Sequence, residues 1–337
     1  MNIIITGGCG FIGSNFIRAL IEYDDSDCKY VNIDKLTYAG NINNLKDIEG
    51  DSRYTFINDD ICNPELGLEI ELHGINLNDT DWIINFAAET HVDNSIASAE
   101  DFINTNYYGV YNLLELARKH NIKFLQISTD EVYGSMGKGD FANESYPLQP
   151  SSPYSATKAA AELLVKAYHR THGVEYIITR STNNYGPFQY PEKLIPRAIR
   201  RLLRGEPIPI YGDGKQQRDW IYVEDNCIII ALLMTNKKIN STYNIGAGSP
   251  IDNLTVAKSL IRAVDADTKN SLEFVTDRPG HDVRYAVDCS LLKELFGDVM
   301  PSGMDYFNRR LKQTVSWYQN NSDWITEIEG RKNKGRL

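Results

Sequence analysis

The chain has 337 residues, of which 42% are hydrophobic and 24% are charged, and its formal net charge is −10. These values are typical of a globular protein with one large domain or two closely packed domains. The negative charge excludes a general affinity for nucleic acid or for an anionic membrane, so local basic groups would have to bind any anionic ligand. The longest apolar run, residues 227–234, is far shorter than the roughly 20 residues that span a bilayer.

Five cysteines are scattered along the chain without C-x-x-C spacing, which predicts neither a disulfide framework nor a metal site. The sequence enters a strand-like run at once and shows no basic segment or cleavage site of a signal peptide. Both observations favour the reducing cytoplasm as the location of the protein.

Strand-like apolar runs alternate with helix-like segments through the first half of the chain. The runs that predict strands lie at residues 2–6, 29–34, 54–59, 82–88, 123–128, 175–181 and, later in the chain, 242–248. Apolar residues at helical spacing predict helices at residues 11–23, 104–120 and 153–169. This alternation predicts an α/β fold with a Rossmann-type, doubly wound parallel sheet and helices on both faces.

The first predicted strand leads into the segment ITGGCGFIG, in which Gly7, Gly10 and Gly13 precede a predicted helix. A glycine loop in this position lets the backbone approach a pyrophosphate, and the helix N-terminus offers free N–H groups. Asp34 ends the second predicted strand, where a carboxylate can bind both hydroxyls of an adenosine ribose and would repel a 2′-phosphate. The pattern therefore predicts a site for NAD rather than NADP.

Two adjacent carboxylates, Asp130 and Glu131, follow the predicted strand at residues 123–128 in the segment STDEVYG. Neighbouring side chains of a regular strand point to opposite faces, so both acids can enter one pocket only if the strand ends before them. The carboxyl edge of a parallel sheet is where such folds bind ligands. Taken alone, the position is compatible both with a solvated loop and with a catalytic pair.

The predicted helix at residues 153–169 carries Tyr154 and Lys158, which are four residues apart and therefore share one face. Because an unperturbed tyrosine has a pKa of about 10, it acts as a base at neutral pH only if cations stabilise its phenolate. Lys158 and an oxidised nicotinamide ring could supply that positive charge. The same spacing is also common on exposed helices without a catalytic role.

Together, the glycine loop and the Tyr154–Lys158 pair resemble the extended short-chain dehydrogenase/reductase superfamily. Further segments make the chain similar to the dTDP-glucose 4,6-dehydratase family over nearly its whole length. These segments lie at residues 34–41, 87–96, 128–134, 183–196, 211–220 and 277–288. The resemblance implies a NAD-dependent hydro-lyase that oxidises C4 of a glucosyl ring, eliminates water across C5 and C6, and returns the hydride to C6.

The resemblance also implies catalytic roles by position in these motifs. Asp130 would be the protonated acid that releases the C6 hydroxyl, and Glu131 would be the base that removes the C5 proton. Asp130 would need a raised pKa, which burial or the charge of Glu131 could supply. Tyr154 would deprotonate the 4-hydroxyl, Lys158 would lower the pKa of Tyr154, and Thr129 would hydrogen-bond the same hydroxyl.

Two sets of binding residues follow from the same resemblance, one for NAD and one for a nucleotide-sugar substrate. The cofactor set is Gly7, Gly10, Phe11, Ile12, Gly13, Asp34, Lys35, Thr37, Asp60, Ile61, Ala87, Ala88, Tyr154 and Lys158. The substrate set is Thr129, Asn183, Glu192, Lys193, Leu194, Tyr211, Arg218, Asn253, Arg278 and His281. Within it, an arginine fork suits a diphosphate, and Tyr211 could stack on the pyrimidine.

Pro/Gly-rich segments from about residue 184 predict a second, smaller α/β region. We expect a NAD-binding domain over residues 1–183, with a return to its sheet near 219–248, and a mainly substrate-binding domain over residues 184–330. The basic residues 331–337 predict a frayed tail. The resemblance further implies a homodimer formed by the helices at about 104–120 and 154–171, and no nucleic-acid or membrane partner is expected.

Three alternatives remain open. A UDP-glucose 4,6-dehydratase would share all of this chemistry and differ in the pocket for the nucleobase, although the segment DRPGHDVRY favours the dTDP enzymes. A sugar-nucleotide 4-epimerase would share the glycine loop and the tyrosine–lysine pair, but it needs no elimination acids, so Asp130 and Glu131 oppose that reading. A non-catalytic NAD-binding regulator could lose Tyr154 or Lys158, and both are present.

Overall fold

The computed structural model describes residues 1–23, 27–236, 238–267, 270–277, 282–297 and 302–334. Two residues of the predicted substrate set, Arg278 and His281, lie outside these ranges. Within the described part of the chain, no helix is long and apolar enough to cross a membrane.

Strands and helices alternate along the chain. The strands are β1 (Asn2–Thr6), β2 (Lys29–Ile33), β3 (Tyr54–Ile57), β4 (Trp82–Asn85), β5 (Lys123–Thr129), β6 (Tyr176–Ser181), β7 (Asn183–Tyr185), β8 (Ile208–Tyr211), β9 (Gln217–Arg218), β10 (Trp220–Tyr222), β11 (Ser241–Ile245), β12 (Ile251–Asp252) and β13 (Leu272–Val275). The α-helices are α1 (Phe11–Tyr23), α2 (Leu66–Leu72), α3 (Val92–Ala97), α4 (Glu100–Ile103), α5 (Val110–His120), α6 (Pro153–His172), α7 (Leu194–Leu203), α8 (Val223–Thr235), α9 (Asn253–Val264), α10 (Ser290–Phe296), α11 (Gly303–Asn320) and α12 (Ser322–Lys334).

Seven strands form one sheet in the order β11-β6-β5-β4-β1-β2-β3. β1 pairs in parallel with both β2 and β4, and β4, β5 and β6 continue the parallel pairing. The strand order reverses between β1 and β4, and this switch point is where doubly wound sheets bind ligands. The predicted fold class is confirmed, and each of the seven predicted runs supplies one strand of this sheet.

The central strands are buried on both faces. Ile3, Ile4 and Ile5 are consecutive in β1, and none of them is exposed to solvent. A strand that helices cover on both sides is a continuous apolar run rather than an alternating one. Burial of each isoleucine side chain contributes about 1.5–3 kcal/mol, which holds β1 in the centre and fixes the start of the loop that follows it.

The helix predicted at residues 104–120 is α-helical only from Val110 to His120, as α5. The preceding segment, Asn104–Gly109, is a π-helix, so a helix over residues 104–120 is confirmed, but its first six residues are not α-helical. A π-helix has wider turns than an α-helix, which redirects the side chains that it carries, and such segments are frequent at functional sites.

The chain divides into two compact units. Unit 1 contains Met1–Tyr133, Pro147–Ser181 and Cys227–Tyr243, and unit 2 contains Gly134–Tyr146, Thr182–Asn226 and Asn244–Leu337. The large sheet belongs mainly to unit 1. Within unit 2, β7 pairs with β10, β9 with β12, and β8 with β13.

The last helix extends into the basic C-terminal segment. α12 ends at Lys334, so the prediction of a frayed tail from residue 331 is wrong for residues 331–334. Buried Trp324, Ile325 and Ile328 anchor the helix earlier in its course. Once a helix has formed, each further residue adds a backbone hydrogen bond at little cost, which explains the extension into a polar segment.

Candidate active site

The glycine loop follows β1 at the switch point of the sheet. Gly7 has a φ of +69°, and a Cβ atom at this position would lie 2.5 Å from the backbone nitrogen of Ala87. Its N–H donates to the Ile33 carbonyl oxygen at 2.8 Å, and the Gly10 N–H donates to the Gly7 carbonyl oxygen at 3.1 Å. The loop thus presents bare backbone and opens α1, whose first N–H groups have no acceptor within the helix. This backbone fits the pyrophosphate of a dinucleotide.

Asp34 follows β2 and is 8% exposed. Its Oδ2 accepts the N–H of Cys9 at 2.9 Å, and its Oδ1 accepts the N–H of Leu36 at 2.8 Å. Burial raises the pKa of the Asp34 carboxyl, and these two N–H groups oppose that rise. Because each carboxylate oxygen has two acceptor positions, Asp34 can hold the loop and still bind ribose hydroxyls.

Lys35 and Asp60 form an ion pair, with 2.6 Å between Nζ and Oδ2. Burial opposes ionisation of Asp60, but the Lys35 ammonium and the N–H of Cys62 outweigh it, and the pKa of Asp60 is lowered. The side chain of Ile61 lies in the hydrophobic core, so Ile61 can meet a cofactor only through its backbone. The rest of the predicted cofactor set lies in unit 1 as well, at Phe11, Ile12, Gly13, Thr37, Ala87 and Ala88.

The two carboxylates lie in a single 3₁₀ turn, Asp130–Tyr133, which directly follows β5 and which we call the acid turn. The Thr129 hydroxyl donates to Asp130 Oδ1 at 3.3 Å and accepts the Glu131 N–H at 3.3 Å. The strand therefore ends before both acids, as the sequence predicts. Asp130 is 3% exposed, whereas Glu131 is partly exposed. Because burial disfavours the charged form of a carboxyl group, the two neighbours have unequal environments.

The N-terminus of α6 fixes the position of Tyr154. Ser152 caps the helix, and its hydroxyl and that of Ser155 each accept the other residue's N–H at 3.1 Å. Pro153 at the first helical position has a backbone angle already suited to a helix. Tyr154 therefore lies in the first turn, with Lys158 one turn later on the same face.

The surroundings of Tyr154 and Lys158 shift both pKa values. Burial raises the pKa of the Tyr154 hydroxyl, the charges of Glu131 and Asp130 raise it further, and a hydrogen bond with Thr129 opposes them. Lys158 Nζ donates to the Ile127 carbonyl oxygen at 2.6 Å, and burial lowers the pKa of Lys158 to about 8. The protein groups around Tyr154 thus act against a lowered pKa, and the proposed effect of Lys158 on Tyr154 stays a prediction.

Asn106, in the π-helix, connects two parts of the site and was missed by the sequence analysis. Its side chain accepts the Glu89 N–H at 2.8 Å and donates to the Glu89 carbonyl oxygen at 3.0 Å and to the Thr157 hydroxyl at 3.1 Å. The Thr157 hydroxyl in turn donates to the Tyr154 carbonyl oxygen at 2.8 Å. The available signal was a carboxamide just before α5, whose buried residues are apolar.

Within unit 2, two residues of the predicted substrate set lie on neighbouring segments of the chain. The Arg218 guanidinium donates to two backbone carbonyl oxygens and lies 4.3 Å from the centroid of the Tyr285 ring. β9, which contains Arg218, pairs with β12, and Asn253 follows β12 at the start of α9. Among the described residues, the buried Oδ1 of Asn253 has no hydrogen-bond partner. A polar ligand group could satisfy that atom.

Thr129 ends β5 in unit 1, and the other described residues of the substrate set lie at or near the ends of elements in unit 2. Asn183 begins β7, Lys193 directly precedes α7, which begins at Leu194, and Tyr211 ends β8. Glu192 and Lys193 are partly exposed. Their contacts with a substrate stay a prediction.

Helix α6, which carries Tyr154 and Lys158 on one face, packs beside β5 of the large sheet, and the glycine loop after β1 of the same sheet suits a dinucleotide. This combination defines the extended short-chain dehydrogenase/reductase class. Within it, the chain belongs to the GDP-mannose 4,6 dehydratase family, whose model matches residues 4–297.

Individual relatives agree with this assignment. The chain is 45% identical over 315 residues to the low-salt glycan biosynthesis protein Agl12 of Haloferax volcanii, covering 91% of this chain and 98% of that protein. It is 42% identical over 328 residues to a dTDP-glucose 4,6-dehydratase of Streptomyces niveus, covering 96% and 94%. A solved dTDP-glucose 4,6-dehydratase of Streptomyces venezuelae with NAD and TYD bound has a TM-score of 0.88 and 41% identity, covering 96% of this chain and 98% of that chain. The resemblance found in the motifs is confirmed.

Proposed function

We propose that this protein is a dTDP-glucose 4,6-dehydratase, which converts dTDP-glucose to dTDP-4-keto-6-deoxyglucose. The observation that carries the proposal is that the acid turn lies beside the buried Tyr154. The charges of both Glu131 and Asp130 raise the pKa of the Tyr154 hydroxyl. An enzyme that only oxidised and reduced C4 would need Tyr154 but neither elimination acid nor elimination base. Relatives of that name, at 41–42% identity over nearly the whole chain, support the choice of substrate.

The cofactor of the proposed reaction is NAD, which when bound accepts the C4 hydride and returns it to C6. Gly7 and Gly10 would hold the pyrophosphate at the N-terminus of α1, and Asp34 would bind the adenosine ribose. The ion pair with Asp60 neutralises the charge of Lys35 beside that ribose. Because Lys35 is already paired with Asp60, it is not available to bind a 2′-phosphate, and the ion pair therefore supports NAD over NADP.

In the first step, Tyr154 would take the proton of the 4-hydroxyl while Thr129 hydrogen-bonds the same group. Burial keeps the Tyr154 hydroxyl protonated in the protein alone, so its deprotonation needs a nearby positive charge. Lys158, with a pKa of about 8, is mainly protonated at neutral pH and lies on the same helix face. It supplies part of that charge.

In the second step, water would leave across C5 and C6. A ketone at C4 makes the C5 proton acidic enough for a carboxylate base, and we assign this role to Glu131. The C6 hydroxyl needs a proton in order to leave, and we assign that donor role to Asp130. The burial of Asp130 and the partial exposure of Glu131 support this division, because burial favours the neutral acid.

Unit 1 would serve as the NAD-binding domain and unit 2 as the substrate-binding domain. Arg218 and Asn253 support a nucleotide diphosphate site in unit 2, because Arg218 lies in β9 and Asn253 directly follows β12, the strand that pairs with β9. The rest of this site would be Arg278, His281 and Tyr211, and the sugar would meet Asn183, Glu192, Lys193 and Leu194.

The test is incubation of the purified protein with dTDP-glucose and, separately, with UDP-glucose, with the products followed by mass spectrometry. We expect dTDP-glucose alone to lose the mass of one water. Loss of water from UDP-glucose instead would keep the mechanism but assign the protein a substrate with a different nucleobase. No loss from either, with NAD bound, would contradict the dehydratase assignment and favour an epimerase or a non-catalytic regulator.

We further propose a cytoplasmic homodimer in which α5, α6 and the π-helix face a second copy of the chain. Large apolar side chains are exposed on this part of unit 1, at Ile96, Ile103, Tyr107, Tyr108, Tyr111 and Leu163. Clusters of exposed apolar residues are typical of interfaces. Light scattering at micromolar concentration should give the mass of a dimer, and Leu163→Glu should shift it toward a monomer.

A further inference from the structure

A buried ion pair adjoins the acid turn. Glu162 on α6 is 0% exposed and Arg180 on β6 is 1% exposed. Arg180 Nε donates to both carboxylate oxygens of Glu162 at 3.1 Å, and its Nη2 donates to Oε2 at 2.6 Å. Buried charges are costly unless their remaining polar atoms are also hydrogen-bonded, so the further partners of this pair indicate what it holds.

Those further partners lie at the two ends of the segment that carries the acids. The Ser128 hydroxyl, in β5 just before the acid turn, donates to Glu162 Oε1 at 2.6 Å. Arg180 Nη1 donates to the hydroxyl of Tyr133, the last residue of the acid turn, at 2.7 Å. The Arg180 guanidinium also lies 4.7 Å from the centroid of the Tyr133 ring. The ion pair therefore holds the acid turn from both sides.

The same pair is joined to the helix face that carries the tyrosine and the lysine. Glu162 follows Lys158 by four residues and Tyr154 by eight, so all three lie along one face of α6. Burial lowers the pKa of Lys158, and the charge of Glu162 opposes this effect. One carboxylate, that of Glu162, thus contacts Ser128 at the end of β5 and acts electrostatically on Lys158.

We propose that the Glu162–Arg180 pair is a positioning device that aligns the acid turn with Tyr154 and Lys158, so that C5 and C6 of the sugar reach the acids while C4 faces the tyrosine. This inference rests on the proposed dehydratase function. Neither residue of the pair needs to touch the substrate. Displacement of reacting groups by about 1 Å can cost about 100-fold in rate, so even a small rotation of the acid turn would slow elimination.

The test variant removes the hydrogen bonds that join the ion pair to Ser128 and Tyr133, and it leaves both charges of the pair in place. Removing only Glu162 or Arg180 would leave a buried unpaired charge and could unfold the protein. The double variant Ser128→Ala/Tyr133→Phe instead removes the hydrogen bonds of the ion pair with the Ser128 and Tyr133 hydroxyls and keeps the ion pair. The control is Tyr306→Phe, because the Tyr306 hydroxyl likewise donates to a carboxylate, Asp225, of an ion pair, but in unit 2 and outside the proposed site.

The first readout separates C4 oxidation from water loss. With dTDP-glucose, the double variant should lose water about 10- to 100-fold more slowly than the unaltered protein, with KM unchanged. C4 oxidation should stay within about twofold, so reduced cofactor accumulates. Tyr306→Phe should leave both rates unchanged. Equal slowing of both steps, or no slowing in a folded double variant, would overturn the proposal.

The second readout needs no substrate. In the double variant, amide hydrogens of the acid turn should exchange with deuterium about tenfold faster, and those at the start of α6 should exchange at the original rate. Unchanged exchange at the acid turn would refute a positioning role. If the unaltered protein does not act on dTDP-glucose, the proposed function fails, and this exchange experiment still decides whether the pair holds the acid turn.

Discussion

The N–H of Cys9 donates a hydrogen bond of 2.9 Å to Asp34 Oδ2, which ties the glycine loop to the end of β2. The carboxylate expected to bind the adenosine ribose therefore also fixes the loop expected to bind the pyrophosphate. Because one group serves both halves of the cofactor site, a change at Asp34 should weaken binding by more than the loss of its own contact with the ribose.

Asp34→Asn should lower the affinity for NAD by at least about 10-fold, since the loss of even one hydrogen bond to a charged group costs about 1.5–3 kcal/mol. Isothermal titration calorimetry measures the effect. Asp51→Asn is the control, because it removes a carboxylate that pairs with Arg53 outside the proposed cofactor site. Unaltered NAD affinity in Asp34→Asn would exclude Asp34 from the cofactor site.

Gly7→Ala should destabilise the protein and abolish NAD binding. Its Cβ would lie 2.5 Å from the Ala87 nitrogen, in addition to a cost of about 1–2 kcal/mol for a positive φ. Gly74→Ala is the matched control, because Gly74 also has a positive φ but no atom within 4 Å of an added Cβ. Thermal unfolding should show a clearly larger loss for Gly7→Ala. Equal losses would mean that the close approach to Ala87 is unimportant.

Asp130→Asn should keep C4 oxidation and slow water loss by about 10²- to 10⁴-fold, the usual contribution of a general acid. The carboxamide has the same shape but no acidic proton to give to the C6 hydroxyl. Rapid mixing with dTDP-glucose should therefore show reduced cofactor accumulating before any dehydrated product. Unchanged turnover would remove Asp130 from the mechanism.

Glu131→Gln should slow exchange of the C5 proton with solvent deuterium by a similar factor, because the carboxamide is not a base. Mass spectrometry of substrate and product recovered from deuterated water measures this exchange. Asp130→Asn serves as the comparison, since loss of the acid should leave C5 exchange largely intact. Normal exchange in Glu131→Gln would point to a different base.

Lys158→Met should be more stable than the unaltered protein at pH 7, and the difference should shrink at higher pH. Burial lowers the pKa of Lys158 from 10.5 to about 8, so between these values the unfolded state binds more protons and the free energy of unfolding of the unaltered protein rises with pH. The lowered pKa of Lys158 reduces the free energy of unfolding of the unaltered protein by about 3 kcal/mol at pH 7. This reduction should be about 1 kcal/mol smaller at pH 9.

Urea unfolding of both proteins at pH 7 and pH 9 provides the measurement for Lys158→Met. The comparison stops at pH 9 because unfolded tyrosines ionise near pH 10. A difference in stability that does not change with pH would mean that Lys158 keeps an ordinary pKa in the folded protein.

The sequence by itself determined the parts of the protein that depend on neighbours along the chain. Apolar runs located all seven strands of the large sheet, and the glycine spacing with Asp34 marked the loop and strand end that lie at its switch point. The end of β5 before Asp130 followed from the same local pattern. Motif resemblance then identified the family, because the motifs extend over nearly the whole chain.

Only the tertiary structure decided which distant residues meet. The Glu162–Arg180 ion pair, its bonds to Ser128 and Tyr133, and the hydrogen bond from Lys158 to the Ile127 carbonyl join separate elements. The apolar spacing over residues 104–120 likewise predicts a helix but does not distinguish the π-helix at Asn104–Gly109 from an α-helix. Periodicity in the sequence indicates which face of an element is buried. Strand order and packing decide which buried polar groups meet, and those contacts set the environment of the acid turn.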